Sequence, residues 1–364
     1  MQSRKNGGTP MKRTLIAAYL ALLVTFIPAF CLVWRSGGDA VPAEPGSSPG
    51  PAASRLMAAE LSSAPSPSPS ALPSPSPSPT PAVAQAAEPA PERLLVKCGP
   101  EVYDVDMQEY LTGVVAAEMP AYFEPEALKA QAVAARTYAM YCADTGRHSD
   151  AQVCTDYSCC QAWISREDME SNWGENFEEN YAAVSRAVEE TEGEYLVYEG
   201  QPVFAAFHSS SCGATEDCGA IWNPLPYLVS VSSPETADTV PGFVSQVELS
   251  SLDFRDTVLS AYPWADFTGG ESSWVGGITL DDSGRVASAL LGGVEISGAE
   301  IRSLFSLRST AFTLEYTGSG FLFTVTGYGH GVGMSQHGAN LMAAQGSDYT
   351  QILAHYYPGT QLVS

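Results

Sequence analysis

An α+β fold is predicted for the folded part of this chain, and three features of the sequence predict it. After Arg93, short strand-like stretches and helical stretches follow one another without the regular strand–helix alternation of a parallel sheet. The first quarter is compositionally unlike globular structure, which leaves one folded body of roughly 270 residues in a chain of 364. No internal repeat of fixed period is present. Helices and short antiparallel strands are therefore expected to build a grooved domain over residues 92–364, with a smaller β-rich lobe over 235–325.

The N-terminal region divides into three parts. Residues 1–13 carry Arg4, Lys5, Lys12 and Arg13, and residues 14–34, TLIAAYLALLVTFIPAFCLVW, are free of charge. As a helix that run is about 31 Å long, enough to cross a bilayer. The basic flank places 1–13 in the cytoplasm and everything after Arg35 outside, a single-pass arrangement at the cell membrane. A cleaved signal peptide is the competing reading; AFCLVW offers it no small-x-small cleavage site. Residues 35–91 are rich in Pro, Ser, Ala and Gly, with SAPSPSPSALPSPSPSPTPA at their centre. Such a segment is a disordered linker, or a semi-rigid polyproline II spacer of about 3.1 Å per residue.

In the folded body, LLVKCG and EVYDVDM read as strands, and QEYLTGVVAAEM as a helix stopped by Pro120. Pro125 suits the first turn of a second helix, EALKAQAVAARTYAMYC, whose alanines let other backbone approach closely. FEENYAAVSRAVEE reads as a third helix, and EYLVYEGQPVFAAFHS as a strand pair turning near Glu199-Gly200. Farther on, WVGGITLDDSGRVASALLGGVEIS reads as strand, turn and strands, and GAEIRSLF as a short helix. FTLEYTGSGFLFTVTGYG reads as a hairpin, and DYTQILAHYYPG as a final helix.

A net charge of −24 with no dense basic patch argues against nucleic acid as a partner. Neutral amino-sugar chains are compatible with that charge. Of eight cysteines, Cys31 lies in the apolar run; the other seven cannot all pair within the chain, which points to a mixture of disulfide, metal ligand and free thiol.

Glu118 is the residue of greatest chemical interest. It follows Val114, Val115, Ala116 and Ala117 in the last turn of a proline-terminated helix. Apolar surroundings and the negative helix end both disfavour a carboxylate there, so its pKa is expected to rise toward that of a general acid. A surface glutamate at a helix end is the plain alternative. Lys129 and Arg136 share one face of the next helix and suggest a wall meeting a carboxylate or a ligand. His148, Cys154 and Cys160, with Cys159 adjacent, form a cluster with zinc-ligand chemistry. A disulfide from Cys154 to Cys159 or Cys160 competes with it. A disulfide between Cys212 and Cys218 is expected across SCGATEDCG in an exported chain.

At these residues the chain resembles the SpoIID/LytB family. The resemblance rests on Glu118 before Met119-Pro120 followed by EALKAQAVAARTYA, on CCQAW at 159–163, on FHSSSCGATE at 207–216, and on GYGHGVGMSQHGANLMAAQGSDYTQILAHYYPGT at 327–360. It implies a lytic transglycosylase that cleaves between N-acetylmuramic acid and N-acetylglucosamine in peptidoglycan, with Glu118 as its acid/base and no cofactor required for catalysis. It also implies a sporulation role in engulfment, denuded glycan strands as substrate, and stage II sporulation proteins P and M as partners. Relatives described as amidase enhancers imply the alternative of a non-catalytic peptidoglycan-binding protein. Some relatives bear metal at the His148/Cys cluster, which implies a structural zinc; where relatives carry His-Cys this chain has Cys159-Cys160, leaving open whether Cys159 or His148 completes the site. Candidate groove residues are His208 with Ser209 and Ser210, His330 with Ser335 and Gln336, and also Gln161 and Tyr227. Tight turns and scaffold hydrogen bonds are the competing account of each.

Overall fold

The computed structural model describes residues 89–364. The expected membrane helix over 14–34 and nearly all of the linker lie outside the described residues, among which no helix is long and apolar enough to cross a membrane.

The chain enters through an antiparallel hairpin, β1 (Arg93–Cys98) and β2 (Glu101–Asp106), turning at Gly99 in the left-handed region. Helix α1 (Met107–Glu118) follows at once, because the Asp106 carboxylate caps it by accepting from the Gln108 and Glu109 amides. It ends where Met119 turns extended ahead of Pro120. Helix α2 (Pro125–Thr145) opens on proline and closes on Gly146 at φ 62°, three residues beyond the predicted end. Its small residues are buried all round, so α1 and three later helices pack on it. Strand β3 (Val153–Cys154) adds to β1 in parallel, and α3 (Arg166–Trp173) starts from a Ser165/Asp168 capping box. Helix α4 (Phe177–Glu189) is the third predicted helix, within one residue at its end.

The predicted strand pair is real but short. β4 (Tyr195–Tyr198) and β5 (Gln201–Pro202) turn through Glu199 and Gly200, both at positive φ as a type I′ turn requires. Thereafter the chain leaves the sheet, and β6 (Phe207–His208) pairs instead with a strand far along the sequence. β14 (Gln361–Val363) completes the β4–β5 sheet.

A second hydrophobic core lies between residues 247 and 325. It is built by β7 (Val244–Ser250), α5 (Ser251–Ala261), β8 (Val275–Leu280), β9 (Val286–Leu291), β10 (Val294–Ser297), α6 (Gly298–Leu304), β11 (Phe312–Tyr316) and β12 (Gly320–Thr326). Two three-stranded antiparallel sheets, β11–β12–β7 and β10–β9–β8, enclose Phe254, which stacks on Phe321 at 4.0 Å. This core overlaps the stretch 235–325 expected to form a β-rich lobe, but Glu235 at its start hydrogen-bonds to Ser211 and Ser335 of the first core. The chain then returns through β13 (Met334–Ser335), parallel to β6, into α7 (Gln336–Ala344) and α8 (Tyr349–Tyr356), both against α2.

Candidate active site and metal centre

Glu118 stands at the last position of α1, with part of its side chain open to solvent and protein around most of the rest. Two neutral donors hold its carboxylate: the Ala162 amide at 3.1 Å from Oε1 and the Gln336 side-chain amide at 3.4 Å from Oε2. Burial raises its pKa above the ordinary 4.5 and outweighs both hydrogen bonds, each of which favours the charged form. A carboxyl group whose pKa is raised by burial and which keeps one edge accessible is suited to act as a general acid.

The two donors come from segments distant in sequence, and each is locked in place separately. Residues 160–164 lie against α1 because Gly113 has no side chain. A Cβ there would sit 2.2 Å from the Trp163 ring nitrogen and 2.8 Å from the Ile164 carbonyl oxygen. The buried Gln161 side chain then ties the segment to both helices, donating at 3.3 Å to the Tyr110 hydroxyl and to the Ala135 carbonyl. Gln336 opens α7, whose cap is Ser335: its hydroxyl accepts from the Gly338 amide and donates to the buried Glu235 carboxylate. Glu235 also takes the Ser211 amide at 2.9 Å. Nothing in the local sequence around Glu235 signals this role, which depends on chain segments more than 20 residues away.

His148, Cys154, Cys159 and Cys160 converge, all four ligand atoms within 4.8 Å of one another. The His148 Nε2 lies 3.3 Å from the Cys160 sulfur and 3.7 Å from the Cys159 sulfur. A tetrahedral zinc with ordinary Zn–N and Zn–S lengths sets that edge at about 3.5 Å, so this donor set fits the ion. His148 and Cys159 both belong to the cluster. Every one of the seven described cysteines is a free thiol, so neither alternative disulfide at Cys154 is present. Cys142, buried on α2 and not singled out by sequence, hydrogen-bonds to Cys160.

Several of the candidate residues are engaged within the fold. Arg136 is fully buried and donates to the Glu194 and Val188 carbonyls, closing the end of α4 rather than facing a ligand. Lys129 is held between Glu126 at 2.8 Å and Glu190 at 2.7 Å. The buried Tyr227 hydroxyl accepts from the Phe204 amide. The buried His208 bridges the Val332 carbonyl and the Ser211 hydroxyl, and burial holds its pKa well below the usual imidazole range. Ser210 pairs through its backbone with Tyr328. The expected Cys212–Cys218 disulfide is absent: the segment between them is bridged at Ala214 to Ser232 and at Glu216 to Val332, and the buried Cys218 thiol donates to the Asn223 carbonyl. His330 is half-buried, 5.1 Å from the Trp222 ring, and burial pushes its pKa down to about 4. Gln336 touches Glu118, while Gln161 acts one step behind it through the segment that presents Ala162. A cavity of about 320 Å³ opens over the metal cluster, lined by Lys97, Thr155 and Asp156 as well as by His148, Cys154 and Cys159, and Glu118 is not part of its wall.

The family model of SpoIID, "Stage II sporulation protein", matches residues 100–198, the stretch holding Glu118, Ala162 and the metal cluster. The chain is also 37% identical over 266 residues to stage II sporulation protein D of Bacillus amyloliquefaciens, covering 72% of this chain and 75% of that one. It belongs to the SpoIID family. Stage II sporulation protein D of Bacillus subtilis (strain 168) matches this SpoIID-family chain to the same extent. An amidase enhancer of Bacillus subtilis (strain 168) is 30% identical over 305 aligned positions, 70% of this chain and 40% of that one.

Proposed function

We propose that this protein is a lytic transglycosylase that cuts peptidoglycan glycan strands between N-acetylmuramic acid and N-acetylglucosamine, with Glu118 as the acid/base. The observation that carries this reading is the partly desolvated Glu118 carboxyl group, its pKa raised by burial and each of its two oxygens held by a neutral donor. Protonated Glu118 gives its proton to the glycosidic oxygen, and the C1–O4 bond breaks with its electron pair on that oxygen. The muramic acid 6-hydroxyl then bonds to C1, closing a 1,6-anhydro ring, and its proton returns to the Glu118 carboxylate. Water is not consumed, so the second carboxylate of an ordinary glycoside hydrolase is unnecessary. Consistently, the nearby Glu126 is already engaged by Lys129 and by the Tyr349 amide.

The same proposal places zinc on His148, Cys154, Cys159 and Cys160 as a structural ion. When bound it would cross-link the chain from 148 to 160, the first residue of the segment 160–164 that presents Ala162 to Glu118. The chain would be anchored through residues 14–34 at the cell membrane with 92–364 outside, acting in sporulation on strands stripped of stem peptides, beside stage II sporulation proteins P and M.

A non-catalytic role is favoured by one observation, the likeness to an amidase enhancer. Purified wild-type chain and Glu118→Gln, incubated with denuded strands and analysed by mass spectrometry, separate the two. The proposal expects 1,6-anhydro ends from wild type and about 10²- to 10⁴-fold fewer from the variant. Intact strands, together with an added amidase that works faster in the presence of either protein, would replace it with the enhancer reading.

A further inference from the structure

Glu235 is buried at 4% exposure in a loop outside every helix and strand, and its two oxygens are used unequally. Oε1 accepts both the Ser211 amide at 2.9 Å and the Ser335 hydroxyl, whereas Oε2 is buried and accepts nothing. Among the described residues no cation pairs with Glu235. The fold therefore takes from this side chain one well-placed acceptor rather than a counter-charge. Ser211, one of the two donors, is itself held by its hydroxyl, 2.8 Å from His208 Nε2.

What Oε1 fixes is a rotor, since a serine hydroxyl has one proton and two lone pairs. Because Ser335 gives its proton to Glu235, a lone pair is left for the Gly338 amide at 3.2 Å, the hydrogen bond that caps α7. Without that acceptor the same proton has another outlet, the Ser209 carbonyl at 3.5 Å. α7 is seated tightly over this point: a Cβ on Gly338 would stand 2.1 Å from the Tyr356 hydroxyl, 2.6 Å from Ser233 Oγ and 3.1 Å from Glu235 Oε2. The first residue of α7 is Gln336, whose side chain donates to Glu118 Oε2. Burial and two hydrogen bonds from neutral donors set the Glu118 pKa, with no charged group among the causes, so any influence of Glu235 on it passes through α7.

We propose that Glu235 is a positioning residue for the reaction at Glu118: by orienting Ser335 it sets the first turn of α7 and, with it, the Gln336 donor. The consequence for rate rests on Glu118 being the acid/base of the cleavage proposed above; the consequence for the Glu118 carboxyl does not.

Carbon NMR of the Glu118 carboxyl in the full chain tests this without an assay of cleavage. Glu235→Leu removes acceptor and charge together. Loosening Gln336 weakens a hydrogen bond that favours the carboxylate, so the Glu118 pKa should rise, by at most about 1 pH unit; loss of a nearby negative charge would lower it instead. Glu235→Gln keeps an oxygen for Ser211 and Ser335 and puts its NH2 where Oε2 accepts nothing, so its Glu118 should titrate as in wild type. In a Gln336→Met background Glu235→Leu should add no further shift. On denuded strands the alkaline limb of kcat/KM should follow the NMR pKa across these variants. If wild type cuts no strands, the cleavage reading fails and the NMR comparison still decides the role of Glu235. An unchanged or lowered pKa in Glu235→Leu, even in a variant that melts early, overturns the inference, because Glu235 then serves the fold alone. So does an additional shift in the double variant, or a Glu235→Gln that shifts as far as Glu235→Leu. Should Glu235→Leu not fold, Ser335→Ala, which leaves the carboxylate and removes the hydroxyl between it and α7, must raise the Glu118 pKa, and the absence of a rise overturns the inference equally.

Discussion

Gln336→Met offers the sharpest test of how the Glu118 environment sets its chemistry. The variant keeps the side-chain length but removes the N–H that Glu118 Oε2 accepts at 3.4 Å. That hydrogen bond favours the carboxylate, so its loss must push the Glu118 pKa farther up than burial alone has done. At 3.4 Å it is long, which places it at the modest end of hydrogen-bond strength, about 0.5–1.5 kcal/mol. With about 1.4 kcal/mol per pKa unit, the expected rise is about 0.4–1 unit. The proton donor is the neutral form, so activity persists below the pKa and fails above it, and the alkaline limb of kcat/KM on denuded strands should move to higher pH by that amount. Carbon NMR of the Glu118 carboxyl, assigned by its loss in Glu118→Gln, reads the same shift without any assumption about activity. A resonance that titrates at the wild-type pH or lower would refute the reasoning, since water entering the vacated space would then have replaced the lost donor.

Gly113→Ala should destabilise the fold by about 1–3 kcal/mol in denaturant unfolding, because the new methyl group meets the Trp163 ring and the Ile164 carbonyl at the same time; a neutral result would mean that residues 160–164 move aside cheaply. Plasma mass spectrometry should find about one zinc per wild-type chain, and Cys160→Ser should lose it and melt at a lower temperature, as chelated wild type should. Glu216 sits buried beside Arg285 and Asp281, and burial first, then Asp281, raises its pKa from 4.5 to about 7. Between those values the unfolded chain has released a proton that the folded chain retains. Stability should therefore fall with rising pH across that window, by up to about 1.4 kcal/mol per pH unit, and Glu216→Gln should flatten the slope seen by calorimetry.

Much of the local architecture was legible because its causes are local. Pro120 and Pro125 delimit the ends of α1 and α2, and Glu199-Gly200 makes a turn that needs positive φ at both residues. The grouping of His148 with Cys154, Cys159 and Cys160 within thirteen residues already pointed to one cluster. The errors fall where residue type was read without knowledge of burial. Of the two cations at helical spacing, Lys129 meets carboxylates, one of the two partners its sequence context suggested, whereas Arg136 meets no ligand surface and caps α4 from inside the core. His208 and Tyr227 lie in small-residue or loop contexts that suggest a sugar groove, and both are spent on backbone hydrogen bonds. β7, α5 and α7 were not read from sequence; β7 is an outer strand of its sheet with alternating half-buried and exposed positions, and α7 is only nine residues long behind a cap that depends on Glu235.

By itself the sequence determined that Glu118 ends a helix in apolar company, that a thiol and imidazole cluster follows it, and that the chain belongs with a recognisable set of relatives. These depend on covalent neighbours, whose spacing no packing can alter. Only the tertiary structure decided which groups face the Glu118 carboxyl: an amide 44 positions onward and a side chain 218 positions onward. Those contacts exist because Gly113 leaves room beside α1 and because β13 pairs with β6, and such long-range approaches are governed by the shape of the whole core rather than by any local preference.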